Sequence, residues 1–255
     1  MLTQVLANIS KAPQVFFAKN TIRRKKYSFD VDLAKYSISD YDQIIEVLRQ
    51  VEAEVLSAPK SNDSMHWVHF KDTVYFYGER VFELPFDDFV QKVDIAHAGD
   101  FYRDSVGLVT RVVQQDQYGR PTYQGARIIA LPQPNYAAFM GKGELDVYKL
   151  EKVEYSQNEH RVWMKTVHSP NGSAACDDGY LMFQRTANNQ VKVVFLACQS
   201  FPAPPLMAVL FLDRWTWFKD TLTEAAYRSF CNRMMKNIEA CYKGEKFKVG
   251  RASIA

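Results

Sequence analysis

Between residues 107 and 200 the chain is almost entirely strand and turn. The stretches "GLVTRVVQQD", "TYQGARIIALPQ", "ELDVYKLEKVEYS", "HRVWMKTVH", "GYLMFQRT" and "VKVVFLACQSF" follow one another, rich in β-branched and aromatic residues. Their separators, "QYGRP", "PNYAAFMGKG", "QNE", "SPNG" and "ANNQ", carry the residues that favour turns. Strands this close in sequence leave no room for crossover helices, so they pair as an antiparallel meander.

One hairpin can be given a register. Asn171-Gly172 suits a two-residue type I′ turn, whose central positions both need positive φ. Pairing outward from it sets Lys165 opposite Asp178 and Trp163 opposite Tyr180, both favourable cross-strand pairs. Alternation then places Val162, Met164, Thr166 and His168 on one face with Leu181 and Asp177. Arg161, Trp163, Lys165 and Val167 take the other face, with Met182, Tyr180, Asp178 and Cys176. His168 and Cys176 fall on opposite faces, which argues against a Cys–His nucleophile. His168, Asp177 and Thr166 stay together. An imidazole beside a carboxylate is an acid–base candidate; the same cluster is also what a solvated hairpin tip looks like.

Taking Asn188-Asn189 as the next turn sets Leu181 opposite Leu196 and Phe183 opposite Val194. These residues extend the first, more apolar face. The second face, with Trp163, Tyr180, Met182, Val193 and Phe195, is too apolar for solvent. Either residues 1–60 or a second subunit must cover it.

The flanks of the meander read differently. "DYDQIIEVLRQVEAEVLS", residues 40–57, spaces Ile44, Val47, Leu48, Val51 and Val55 as one helical stripe, with Asp40 as cap. "MHWVHF" and "TVYFYGERVFEL" alternate as strands around a Lys71-Asp72 turn. "PFDDFVQKVDIAHAGDFYRDS" reads as two short helices. The chain closes on a long helix with capping-box spacing at Thr221 and Glu224. Its stripe is Tyr227, Phe230, Cys231, Met234, Ile238 and Cys241, and Gly244 stops it.

This order of elements resembles the helix-grip fold of the START/Bet v 1/polyketide-cyclase (SRPBCC) superfamily. The likeness covers about residues 64–245. It rests on "ERVFELPFDDFVQKVDIAHAGDFYRD", the hairpin "RVWMKTVHSPNG…DDGYLMFQRT" and the helix "TEAAYRSFCNRMMKNIEACYKG". The resemblance implies an α+β protein, a curved antiparallel sheet wrapped around the long C-terminal helix. Residues 1–60 would be a basic, helical extension and residues 61–255 the helix-grip domain. It further implies a deep apolar cavity that binds a lipid, sterol, isoprenoid or polycyclic intermediate. One alternative is a cyclase/aromatase-type enzyme of natural-product biosynthesis, with His168 and Asp177 moving protons. Another is a membrane-associated lipid carrier.

The residues expected around the ligand are Thr166, Met164 and Phe183 on the sheet and Tyr227, Phe230 and Met234 on the helix. Tyr75, Tyr77 and Tyr123 would add hydroxyls. Arg127 and Arg111 sit on apolar strand faces, where an arginine needs an anion or a carbonyl, unless it snorkels out or pairs with Glu79 or Glu83.

Other chemistries find no support. There is no CxxC pair and no zinc-type His/Cys spacing, and His66 and His69 fall on opposite faces of one strand, so no metal is expected. No P-loop, GxGxxG, HExxH or GxSxG motif occurs, and no cofactor is expected. A net charge of +3 is too small to argue for nucleic acid. Residues 1–29 hold Lys11, Lys19, Arg23, Arg24, Lys25 and Lys26 with no acid before Asp30. Such a segment is a solvated basic strip, an organelle transit segment or a contact for anionic lipid. Residues 206–218, apolar with Trp215, Trp217 and Phe218 between Arg214 and Lys219, read as core, lid or membrane contact. The four cysteines fit reduced thiols, so the expected location is cytoplasmic, with an organelle or a membrane surface as alternatives.

Overall fold

The computed structural model describes residues 31–32, 38–57, 65–70, 73–101, 105–130, 145–172, 176–200 and 216–245. Helix α1 spans Ile38–Ser57. Strands β1 (Met65–Phe70) and β2 (Thr73–Pro85) follow, then helix α2 (Phe86–Lys92) and a 3₁₀ segment (Ile95–Phe101). The meander supplies β3 (Ser105–Gln115), β4 (Pro121–Ala130), β5 (Leu145–Tyr155), β6 (Glu159–His168), β7 (Cys176–Arg185) and β8 (Gln190–Ser200). Helix α3 (Thr216–Tyr242) closes the chain.

The eight strands form one sheet in the order β1-β2-β8-β7-β6-β5-β4-β3. Every neighbouring pair is antiparallel. The sheet runs from β1 at one end to β3 at the other, and the last strand of the meander, β8, returns beside β2. One face of the sheet packs on α2, the 3₁₀ segment and α3. This is the helix-grip arrangement, and that face is called inner here.

The turns set the faces, and two turns depart from the expected type. Trp163 does pair with Tyr180 across β6 and β7. The turn beyond them, however, is centred on Pro170-Asn171: Gly172 N donates to Ser169 O at 3.0 Å, and Gly172 holds the positive φ of 60°. In the next hairpin Thr186 N donates to Gln190 O at 2.8 Å around a three-residue loop, with Asn189 at φ 58°. A two-residue turn on Asn188-Asn189 is therefore incorrect, and the β7–β8 register differs by one residue. Tyr180 meets Leu196, Leu181 meets Phe195, and Phe183 meets Val193. A one-residue slip moves every side chain to the other face. Val193 and Phe195 are inner, while Val194 and Leu196 are outer.

The inner core joins Phe76, Val162, Met164, Leu181, Phe183 and Phe195 of the sheet to Phe89 of α2, Phe101 of the 3₁₀ segment and Cys231, Met234, Met235 and Ile238 of α3. Phe89 meets the Phe183 ring edge-on at 5.0 Å and stacks on Tyr242 at 5.7 Å. Gly179 is what lets β7 and β8 lie this close: a Cβ there would run into the Leu196 carbonyl oxygen. The helix ends as expected at Gly244, with φ 81°, where Glu245 N reaches back to Ala240 O at 3.0 Å and Gly244 N to Cys241 O at 2.9 Å.

The outer face is covered from within the chain. Ile45, Leu48, Val51 and Val55 of α1 pack on Tyr75, Tyr77, Trp163, Tyr180, Met182, Val194, Leu196 and Cys198. Polar contacts fix the seat. Glu52 accepts from the Tyr180 hydroxyl at 2.6 Å and pairs with Arg161 at 3.1 Å. Arg161 lies over both the Trp163 and Tyr180 rings at 4.7 Å, and Trp163 Nε1 donates to Glu154 at 2.7 Å. No helix among the described residues is long and apolar enough to cross a membrane.

Candidate functional site

Strands β4 and β5 carry the site. Tyr123 pairs with Lys152 and Arg127 with Tyr148, so odd positions of β4 and even positions of β5 share the outer face. The inner face takes Thr122, Gln124, Ala126 and Ile128 from β4, and Val147, Lys149, Glu151, Val153 and Tyr155 from β5. Two apolar clusters occupy its ends. Ala126, Ile128 and Val147 form one, and Val153 belongs to the main core. Between them lies a polar band: Gln124, Lys149 and Glu151, all within 3% of full burial.

Charged groups in such a place are costly unless they are bonded or neutralised. Gln124 Nε2 donates to Glu151 Oε2 at 2.6 Å and to the Ala96 carbonyl of the 3₁₀ segment at 2.6 Å. Burial pushes the Glu151 carboxyl above the usual carboxylate range; the Gln124 hydrogen bond, then the Lys149 and His97 charges, oppose it. Across β6, Met164 is the partner of Glu151 and Thr166 that of Lys149. Further along the same face, the Thr122 and Tyr155 hydroxyls are buried with no hydrogen-bond partner among the described residues. The arrangement offers donors and acceptors to a polar group that enters an otherwise apolar surface.

The expected site residues divide into two sets. Met164, Phe183 and Met234 are in the inner core, Phe230 packs against it, and Thr166 lies at the polar band. The Tyr227 side chain lies outside the described residues. Tyr75 and Tyr77 belong instead to the outer face beneath α1, with Tyr77 donating to Glu79 at 2.7 Å. Tyr123 and Arg127 are outer as well. Arg127 makes a two-point contact with Asp146, at 3.0 and 2.9 Å, and lies over the Tyr148 ring at 4.9 Å. The partner it required is thus an internal carboxylate. Arg111 is exposed and pairs with Gly125 on the same outer side.

The His168 cluster needs a correction. The β6–β7 ladder stops at Met164–Gly179, and Asp178 reaches Thr166, accepting from its amide at 2.7 Å. On the other side of β6 a bulge separates the Lys149–Thr166 pair from Tyr148–His168. An extra residue in one strand reverses the faces beyond it. His168 therefore leaves the Thr166 face and sits exposed, its ring 5.9 Å from that of Tyr148. The Asp177 side chain lies outside the described residues, as do those of Cys176, His66 and His69. No group of three metal-type ligands occurs among the described residues.

Gln124, Lys149 and Glu151 were missed by sequence reasoning, although a signal was present. In "LDVYKLEKVEY" the alternation Val147, Lys149, Glu151, Val153 puts two charges on a face bounded by valines. The argument applied to Arg127 applies equally there.

No family model matches the chain, and no curated protein matches it in sequence. Solved structures do resemble it. Human STARD10 aligns over 86% of this chain and 84% of its own at 10% identity, with a TM-score of 0.49. Human StAR-related lipid transfer protein 5 aligns over 80% and 98% at 10% identity, with a TM-score of 0.47. The Zhui aromatase/cyclase from Streptomyces sp. R1128 aligns over 65% and 93% at 9% identity, with a TM-score of 0.42. The chain is similar to these proteins in fold.

Proposed function

We propose that the protein binds a hydrophobic small molecule between the inner sheet face and α3, and that Lys149, Glu151 and Gln124 receive its polar group. The observation that carries this reading is the buried polar band between two apolar clusters. The sheet and helix need no buried charge to pack together. A ligand with an apolar body and one or two oxygens, such as a lipid, sterol, isoprenoid or polycyclic intermediate, suits both parts. Native mass spectrometry of the full chain tests it. The expected result is a retained ligand mass that Glu151→Leu diminishes. Absence of any retained mass, together with no binding of 1-anilinonaphthalene-8-sulfonate to the folded protein, overturns the reading.

A second reading is favoured by Glu151 itself. A carboxyl that burial makes hold its proton more tightly is suited to donate a proton or hydrogen bond to a carbonyl, the role of a general acid in a cyclase or aromatase. Lys149, on the same face two residues away, would stabilise developing negative charge. His168 and Asp177 stay candidates only if the ligand extends to the end of β6; full turnover by His168→Ala would remove His168 from the mechanism. Membrane contact through residues 206–218 and the basic N-terminus is a separate part of the proposal, which lies outside the described residues. Co-sedimentation with anionic vesicles tests it, and no binding removes it.

A further inference from the structure

The 3₁₀ segment lies between the sheet and α3, and its backbone is held at two points by buried amide side chains. From the sheet, Gln124 Nε2 donates to Ala96 O at 2.6 Å. From α3, Asn237 Nδ2 donates to Phe101 O at 2.6 Å. Both amides are buried, Gln124 at 3% and Asn237 at 9% exposure. The segment is not a regular helix that would hold itself. His97, in its middle, has non-helical angles (φ −101°, ψ 33°), and the amides of Ala96 and His97 donate to Asp94, close by in the chain. Only one of the two clamps touches the candidate site. The same Nε2 of Gln124 also donates to Glu151 Oε2 at 2.6 Å.

We propose that Gln124 is a positioning residue that couples Glu151 to the Ala96 end of the 3₁₀ segment, while Asn237 fixes the Phe101 end independently. The inference rests on the reading of Glu151 as part of the ligand site. A ligand oxygen that engages Glu151 competes for the Gln124 amide. The Ala96 end then loosens, and the segment pivots about its Phe101 end. Movement of the segment and recognition of the ligand's polar group become one equilibrium. The ligand class follows: an apolar molecule with a hydroxyl able to donate to the Glu151 carboxyl in place of the amide.

Residue-resolved amide hydrogen exchange on the full chain, without ligand, tests the coupling separately from ligand binding. Gln124→Met keeps the volume and removes the donor. Glu151→Leu removes the acceptor that orients Gln124, and Glu151→Gln restores an acceptor oxygen. One hydrogen bond's net contribution corresponds to exchange faster by roughly three- to tenfold. Gln124→Met and Glu151→Leu are expected to speed exchange at Ala96 and His97 by that factor and to leave Phe101 unchanged, with Glu151→Gln returning it to the wild-type rate. Asn237→Leu is expected to act at Phe101 alone. A merely structural role would not separate the two ends. Equal acceleration along the segment in every variant, or no change at Ala96 in Glu151→Leu, overturns the proposal. Should Gln124→Met lose the fold, seen as fast exchange at Leu181 and Val193, the two Glu151 variants decide alone. Failure of ligand retention in the mass measurement would leave this exchange pattern intact, so the two failures are distinguishable.

Discussion

Replacing Glu52 by alanine tests whether α1 is an integral layer of the fold. Its carboxylate accepts from Tyr180, whose ring is fully buried, and pairs with Arg161, whose side chain is 11% exposed. Burial and the Glu52 charge hold the Tyr180 hydroxyl neutral, far above the usual tyrosine range. A hydrogen bond to a charged acceptor contributes about 1.5–3 kcal/mol, and the orphaned hydroxyl cannot reach water in its place. The ion pair adds only about 0.5–1 kcal/mol, because Arg161 keeps Glu159 at 2.8 Å and both partners retain some solvent. Glu52→Ala should therefore cost about 2–4 kcal/mol, a fall in melting temperature of roughly 5–12 °C for a chain of this size. Tyr180→Phe should cost less, about 1–1.5 kcal/mol, since it removes the donor rather than stranding it. The double variant should then show a coupling of about 1.5 kcal/mol by urea unfolding. A Glu52→Ala protein within about 0.5 kcal/mol of wild type, or a coupling below that, would mean that α1 is not seated as described.

The other predictions concern the sheet and the polar band. Gly179→Ala forces β7 away from the Leu196 carbonyl and should cost about 2–3 kcal/mol in urea unfolding; a neutral result would refute the close approach. Removal of residues 1–57 uncovers Trp163, Tyr180 and Leu196 and should give an aggregating or self-associated product by light scattering; an unchanged monomer with unchanged melting would refute the covering role. The Glu151 carboxyl is raised, so the folded state holds its proton at pH values where the unfolded chain has released it. Its contribution is present below the usual carboxylate range and is lost as pH rises through the folded value. Asp94, Glu154 and Asp116 are lowered and act in the opposite sense, so the readout is the difference between wild type and Glu151→Gln. That variant should gain stability over wild type progressively as pH rises above the usual carboxylate range, by about 1.4 kcal/mol for each unit by which the native value is raised. A difference that stays constant as pH rises would refute a raised Glu151 carboxyl.

Most of the architecture could be read from alternation and turn chemistry, because both act locally. The six stretches from residue 107 to 200 are six strands, and the turn residues between them bring Trp163 opposite Tyr180. The apolar second face predicted a cover, and α1 supplies it. What alternation does not carry is parity across an irregularity. One residue more in the loop at Asn189 exchanges Val193 with Val194 and Phe195 with Leu196, and both pairs are apolar, so hydrophobicity cannot arbitrate between them. The bulge before His168 falls beside Thr166, whose amide donates to Asp178, a contact that no strand pattern announces.

The same limit acts on the residues expected to line a pocket: Tyr75, Tyr77, Tyr123 and Arg127 lie on the outer face. Arg127 and Tyr75 looked like pocket residues because they interrupt apolar strands, but both faces of this sheet are buried over much of its width. A polar residue on such a strand has two burials to choose between. Arg127 takes the outer one because Asp146, two positions from its cross-strand partner, is within reach there. Glu151 takes the inner one, where its neighbours are Gln124, Lys149 and Met164 and Gln124 donates to it. An ion pair such as Arg127–Asp146 is complete and has nothing left to offer a ligand. Glu151 shares one amide with a carbonyl of the 3₁₀ segment, so its hydrogen-bonding partner is already divided. The proposed site therefore rests on how the buried polar groups are partnered rather than on burial alone: Arg127 meets Asp146 at two points, whereas Glu151 and the Ala96 carbonyl share the Gln124 amide.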